Sequence, residues 1–130
     1  MKVSWDKWDG VYNVGSATEI SSFSEIENLI RRLNQSTYDQ VILNGEKNYL
    51  FIGGGENQYI VTLGIVTDED FYTLVNKHKK NVEEEVEVVT GGQAGLFPEK
   101  IVVDYISVIE ASHYYFEHTD KNPDLLWINE

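Results

Sequence analysis

The hydrophobic and polar positions along this chain change period several times, and each change marks an element. At the start the pattern alternates. Val3 and Trp5 fall on one side of an extended segment, with Lys2, Ser4 and Asp6 on the other. Asp9-Gly10 is a hairpin-type turn signal, and Val11-Tyr12-Asn13-Val14 supplies the returning strand. The period then lengthens: Ile26, Leu29, Ile30 and Leu33 form an apolar stripe at helical spacing. Ser22-Phe23-Ser24-Glu25 precedes it with the S-x-x-E pattern of a capping box. Arg31 and Arg32 suit the negative end of the helix dipole, so a helix is predicted over residues 23–34.

From Gln40 the chain reads as β. Residues 40–43 and 49–52 flank Asn44-Gly45, a strong hairpin signal. Gly53-Gly54-Gly55-Glu56-Asn57 reads as a second reversal into residues 59–66, which gives a three-stranded antiparallel meander. Residues 71–75 are β-prone, and residues 77–81 form a basic exposed loop. Over residues 82–89 alternation places Val82, Val86 and Val88 opposite Glu83, Glu85 and Glu87; that carboxylate row must face water or a cationic partner. Leu96, Phe97, Ile101, Val102 and Val103 suit a strand or extended segment entering a core. Beyond Asp104, a good N-cap, Tyr105, Ile109, Ser112 and Phe116 share one helical face, flanked by Ile106 and His113. The helix is predicted over 104–118, stopping near Thr119 ahead of Asn122-Pro123. Leu125-Leu126-Trp127-Ile128 is too apolar for a loose tail and is expected to fold back as a short strand or bound extended segment. The fold class is α+β: a single antiparallel β-sheet with two principal helices packed against it.

Composition narrows the chemistry. A chain of 130 residues, 42% apolar and 12% aromatic, is expected to form one folded domain. It contains no cysteine, which excludes disulfides and thiol catalysis and removes the commonest zinc ligand. With no signal-like apolar run and no stretch on the order of 18 apolar residues, a soluble cytoplasmic protein is expected. Twenty-two acidic residues against ten Lys and Arg give a net charge of −12. That balance disfavours nucleic-acid binding and speeds association with a basic partner.

The catalytic signals are thin. Gly53-Gly54-Gly55 lacks the following helix and lysine of a phosphate loop and reads as a turn. Gly91-Gly92-Gln93 matches the catalytic tripeptide of release factors, yet nothing around it does; it too reads as a turn. Glu110-x-x-His113 is half of a di-iron motif with no second copy. No catalytic, cofactor-binding or metal-binding residue is therefore expected.

Gly91-Gly92, Phe97-Pro98-Glu99, the aromatic-rich helix with Phe116 near its end, and Pro123-x-x-Leu126-Trp127 follow one another in that order. Over residues 91–128 the chain thereby resembles the Immunity protein 1 family, small proteins encoded beside polymorphic bacterial toxins. The resemblance implies a non-enzymatic, cofactor-free inhibitor, and the chain is expected to be monomeric or weakly associating. Its partner would be the C-terminal domain of a cognate toxin with a basic surface, often a nucleic-acid deaminase or nuclease, blocked at its active site or substrate groove. On that reading the acidic runs Asp68-Glu69-Asp70 and Glu83-Glu84-Glu85 are the partner-facing candidates, and Trp8, beside its turn, is a candidate anchor. Two alternatives stay open. One is a small enzyme or ligand-binding α+β domain; the other is an acidic regulatory subunit unrelated to toxins.

Overall fold

The computed structural model describes residues 1–67 and 70–129. In chain order the elements are β1 (Lys2–Trp5), β2 (Trp8–Asp9), β3 (Tyr12–Asn13), β4 (Ser16–Glu19) and α1 (Phe23–Arg31). Then come β5 (Gln40–Asn44), β6 (Asn48–Gly55), β7 (Gln58–Ile65), β8 (Asp70–Leu74), β9 (Glu85–Thr90) and β10 (Gln93–Pro98). A 3-10 turn (Glu99–Ile101), α2 (Tyr105–His118) and β11 (Trp127–Asn129) complete the chain. Short connections force antiparallel neighbours, and the predicted meander forms the centre of a seven-stranded sheet ordered β11-β8-β7-β6-β5-β1-β4. The predicted sheet with its two helices is present, and two separate hairpins, β2–β3 and β9–β10, stand outside it.

Both helices lie on one face of that sheet. Leu43, Leu50, Ile52, Val61 and Leu63 meet Ile26 and Ile30 of α1 and Val108, Ala111 and Tyr115 of α2 in one buried cluster. The α1 stripe is as expected at Ile26, Ile30 and Leu33, although the helix ends at Arg31 with Arg32 as its C-cap. Ser22 occupies the N-cap without a capping bond. Its hydroxyl meets that of Ser24 at 3.0 Å, so the anticipated capping box does not form.

The second helix differs in its facing. Asp104 caps it as predicted, accepting the Ser107 N–H at 2.9 Å, and Thr119 ends it at φ 51°. The fully buried stripe, however, is Val108, Ala111, Ser112 and Tyr115. Of the predicted face, Ser112 is buried and Tyr105, Ile109 and Phe116 are half-buried, while Ile106 is 67% exposed and His113 is exposed. The reason is that α2 touches two partners. Small residues, Ala111 and Ser112, let it approach the sheet, and the large residues beside them lie toward α1, with Phe116 packed on Phe23 at 6.1 Å and Tyr105 bonded to Arg31 at 3.0 Å.

Two further expectations are corrected. Gly53, Gly54 and Gly55 are buried inside β6, and the reversal itself is Glu56-Asn57, both at positive φ (55° and 65°). Residues 96–103 do not run as one strand: β10 stops at Pro98, Leu96 is 66% exposed, and only Val102 and Val103 are buried. The apolar tail does fold back. β11 pairs with β8, placing Trp127 opposite Leu74, and the half-buried indole donates to the Asn122 carbonyl at 3.1 Å.

Candidate partner interface

The β9–β10 hairpin is made by a two-residue loop, Gly91-Gly92, whose positive φ values of 59° and 80° match the strand twist. Alternation then gives it two unlike faces. Inward, Val86, Val88 and Phe97 pack on Ile60 and Val102. The buried glycines of β6 are the seat: a Cβ on Gly53 would stand 2.6 Å from Thr90 Cγ2, and one on Gly54 would stand 3.0 Å from Val88 Cγ1. Outward, Glu85 lies opposite Pro98 and Glu87 opposite Leu96. Glu83 and Glu84 precede the strand, where the Glu84 carbonyl accepts the Glu99 N–H at 2.8 Å. Glu83, Glu84, Glu85 and Glu87 are all exposed, and among the described residues none of them pairs with Lys or Arg.

Polar bonds hold the hairpin to the rest. Asp39 is fully buried; its carboxylate accepts the Trp8 indole N–H at 3.0 Å and the Gly92 N–H at 2.6 Å. Its own carbonyl accepts the Gly54 N–H at 2.9 Å. Gln35, at φ 61°, bridges the Gly55 carbonyl (3.0 Å) and the Val89 N–H (2.9 Å) through its side-chain amide. Asp39 therefore ties together both small hairpins through its carboxylate and the central strand β6 through its carbonyl.

No protein-family model and no curated protein matches this chain.

The candidate residues are dispersed. Glu83, Glu84 and Glu85 sit at the open end of β9–β10. Asp70 is half-buried at the start of β8, opposite Ile65 and five positions along β7 from Ile60 beneath the hairpin. At strand rise that is roughly 16 Å away. Asp68 and Glu69 lie outside the described residues, so the two acidic runs are not shown as one surface. Trp8 is half-buried, with its ring against Gly92: a Cβ there would meet Trp8 Cζ2 at 2.6 Å. Trp8 thus holds the two hairpins together. The apolar residues exposed on its own hairpin are others, Val11 at 84%, Tyr12 at 72% and Val14 at 55%. Sequence reading assigned these to a returning strand. The available signal was that this segment has no polar–apolar alternation to bury.

Elsewhere the polar groups satisfy one another. Glu110 of the Glu-x-x-His pair is exposed, and His113 meets Glu117 at 2.8 Å and the Phe23 ring at 4.6 Å. Among the described residues no three His, Asp or Glu converge on a metal-sized site. A shallow cavity of about 220 Å³ borders Asn57, Asn76, Lys79, Glu99 and Asp104; Lys79 and Glu99 are paired across it at 2.7 Å. The Asp104 carboxyl is held below its usual range by the Ser107 backbone N–H, as a capping carboxylate should be.

Proposed function

We propose that the chain is an immunity protein that binds the C-terminal domain of a cognate toxin in the producing cell's cytoplasm and covers its active site or substrate groove. The observation that carries this reading is the outward face of β9–β10. There, exposed Leu96 stands opposite Glu87, with Glu85 beside it and Glu83 and Glu84 just beyond. Such a face supplies long-range attraction to a basic surface and an apolar contact at its centre. Steering governs the association rate, and the few desolvated contacts govern residence time. The net charge of −12 and the resemblance of residues 91–128 support the same reading.

The test is titration of the toxin domain encoded beside this chain. Inhibition should saturate at one equivalent. Replacing Glu83, Glu84 and Glu85 with Gln should slow association and flatten its salt dependence while leaving the melting temperature unchanged. Rescue at far less than one equivalent would count against this reading, because it would mean catalytic removal of the toxin or its product.

A further inference from the structure

We infer that the partner surface is composite: the β2–β3 tip is its second half, inserting Val11 and Tyr12 into an apolar cleft of a basic partner domain, with Asp39 and Trp8 as positioning residues. The inference rests on the proposed function above and adds the part of the molecule that would carry residence time.

The tip is apolar and uncovered. Gly10-Val11 is a two-residue loop in which Gly10 supplies the positive φ (62°), so Val11 and Tyr12 project at its end. Isolated exposed apolar residues need no explanation, but Val11, Tyr12 and Val14 lie within four positions of one another on a projecting hairpin. The tip is also preorganised. At its base Asn13 Oδ1 accepts the N–H groups of Lys7 (3.2 Å) and Gly15 (2.8 Å), and Asn13 Nδ2 donates to Asp6 at 2.9 Å. The Val14 N–H reaches the Lys7 carbonyl at 2.7 Å, and the Trp8 N–H reaches the Thr37 carbonyl at 2.8 Å. A Tyr carried on a braced backbone has only its own side chain to order on insertion, which suits an anchor.

The latch fixes the β2–β3 hairpin to the loop end of β9–β10. Asp39 takes one N–H from each hairpin, Trp8 from one and Gly92 from the other, and the Trp8 ring lies on Gly92. A partner engaging Glu85 at the open end of β9 must therefore span roughly 16 Å of that strand, to Thr90 beside the loop, before it reaches the apolar tip at a fixed offset. Charge complementarity selects the occupant: with Asp9 exposed at the tip, and Glu85 and Glu87 on the other hairpin with Glu83 and Glu84 before it all unpaired with Lys or Arg, the complementary domain is a basic one with an apolar cleft.

The experiment is a kinetic double-mutant cycle on the full chain, with the catalytically inactivated toxin domain encoded beside it as the probe. The Val11→Ser/Tyr12→Ser variant should keep its melting temperature and its association rate. Its dissociation should be ~30-fold faster or more, the range of anchor residues. Trp8→Phe keeps a ring on Gly92 but removes the N–H donor to Asp39. Dissociation should quicken ~5-fold and Gly92 amide exchange should accelerate, while β6 and β7 amides keep their protection. Combined with the tip variant, Trp8→Phe should add nothing further, because it acts through the tip. Tip substitutions without effect on dissociation, or a Trp8→Phe effect that persists unchanged in the combination, would overturn the inference and leave the proposed function standing. An unmodified chain that does not bind the domain would overturn both.

Discussion

The two faces of the central sheet are covered by different physical means. On the helix side, 17 buried residues among those described, from both helices, strands β1, β5, β6, β7 and β8 and the segments between, form one apolar cluster. On the hairpin side three do, Ile60, Val88 and Val102, and the hairpin stays in place through glycine-to-side-chain contact and the amide and carboxylate bonds of Gln35 and Asp39. Apolar burial spread over many elements unfolds cooperatively. A small cluster reinforced by polar latches opens locally, below the free energy of global unfolding.

The comparison is broken most directly by truncating one buried side chain on each face. Leu63→Ala, on the helix side, should cost about 3–4 kcal/mol and lower the global denaturation midpoint. Val88 is equally buried, yet Val88→Ala should cost only about 1.5 kcal/mol for its two lost carbons. That loss should appear first as faster amide exchange over residues 85–98. Equal falls in the global midpoint would show that the hairpin belongs to the same cooperative unit.

Trp127 sharpens the boundary of the helix-side core. It packs on the main cluster from the β11 edge but is only half-buried. Trp127→Ala should therefore cost about 2 kcal/mol, less than a fully buried Trp, and truncation after Asp120 should melt early. A truncation that melts like the full chain would remove the tail from the core.

A pH dependence probes the helix side without any truncation. Burial pushes the Tyr115 phenol up to about 12 from an ordinary 10.0. The unfolded chain thus releases this proton first, so the stabilisation is complete below pH 10 and is lost as the pH rises toward about 12. Denaturant midpoints measured from pH 8 upward should fall only above 10, and Tyr115→Phe should shallow that fall without abolishing it. Tyr59, also raised by burial, keeps part of it. A midpoint independent of alkaline pH would contradict the buried state of the phenol.

Strand order in the meander, the existence of both helices, the Asp104 cap and the returning tail were legible because each follows from local period or capping chemistry. What was not legible depends on contacts distant in sequence. Gly53-Gly54-Gly55 reads as a turn until Thr90 and Val88 are laid over it. Asp39 reads as one more loop acid, since its donors come from positions 8 and 92. The face of α2 was right at Ser112 but centred on the wrong side, because Ala111 carries little apolar weight and yet is buried with Val108 and Tyr115. At the candidate site, the carboxylate alternation of Glu85 and Glu87 was readable, whereas the distance between Asp70 and the hairpin required the register of β7 and β8. Trp8 was singled out for its place beside a turn, but its partner, Asp39, is 31 residues away.

The alternation of β9 and β10 also separates inheritance from novelty. Val86, Val88, Phe97 and the glycines beneath them are bound to one another, so change at any of them must be matched by its neighbours. Glu85, Glu87 and Leu96 point the other way and touch none of that seat. Descendants of this chain are free to exchange those three side chains one at a time, keeping the same scaffold while the chemistry of the hairpin's outward face drifts.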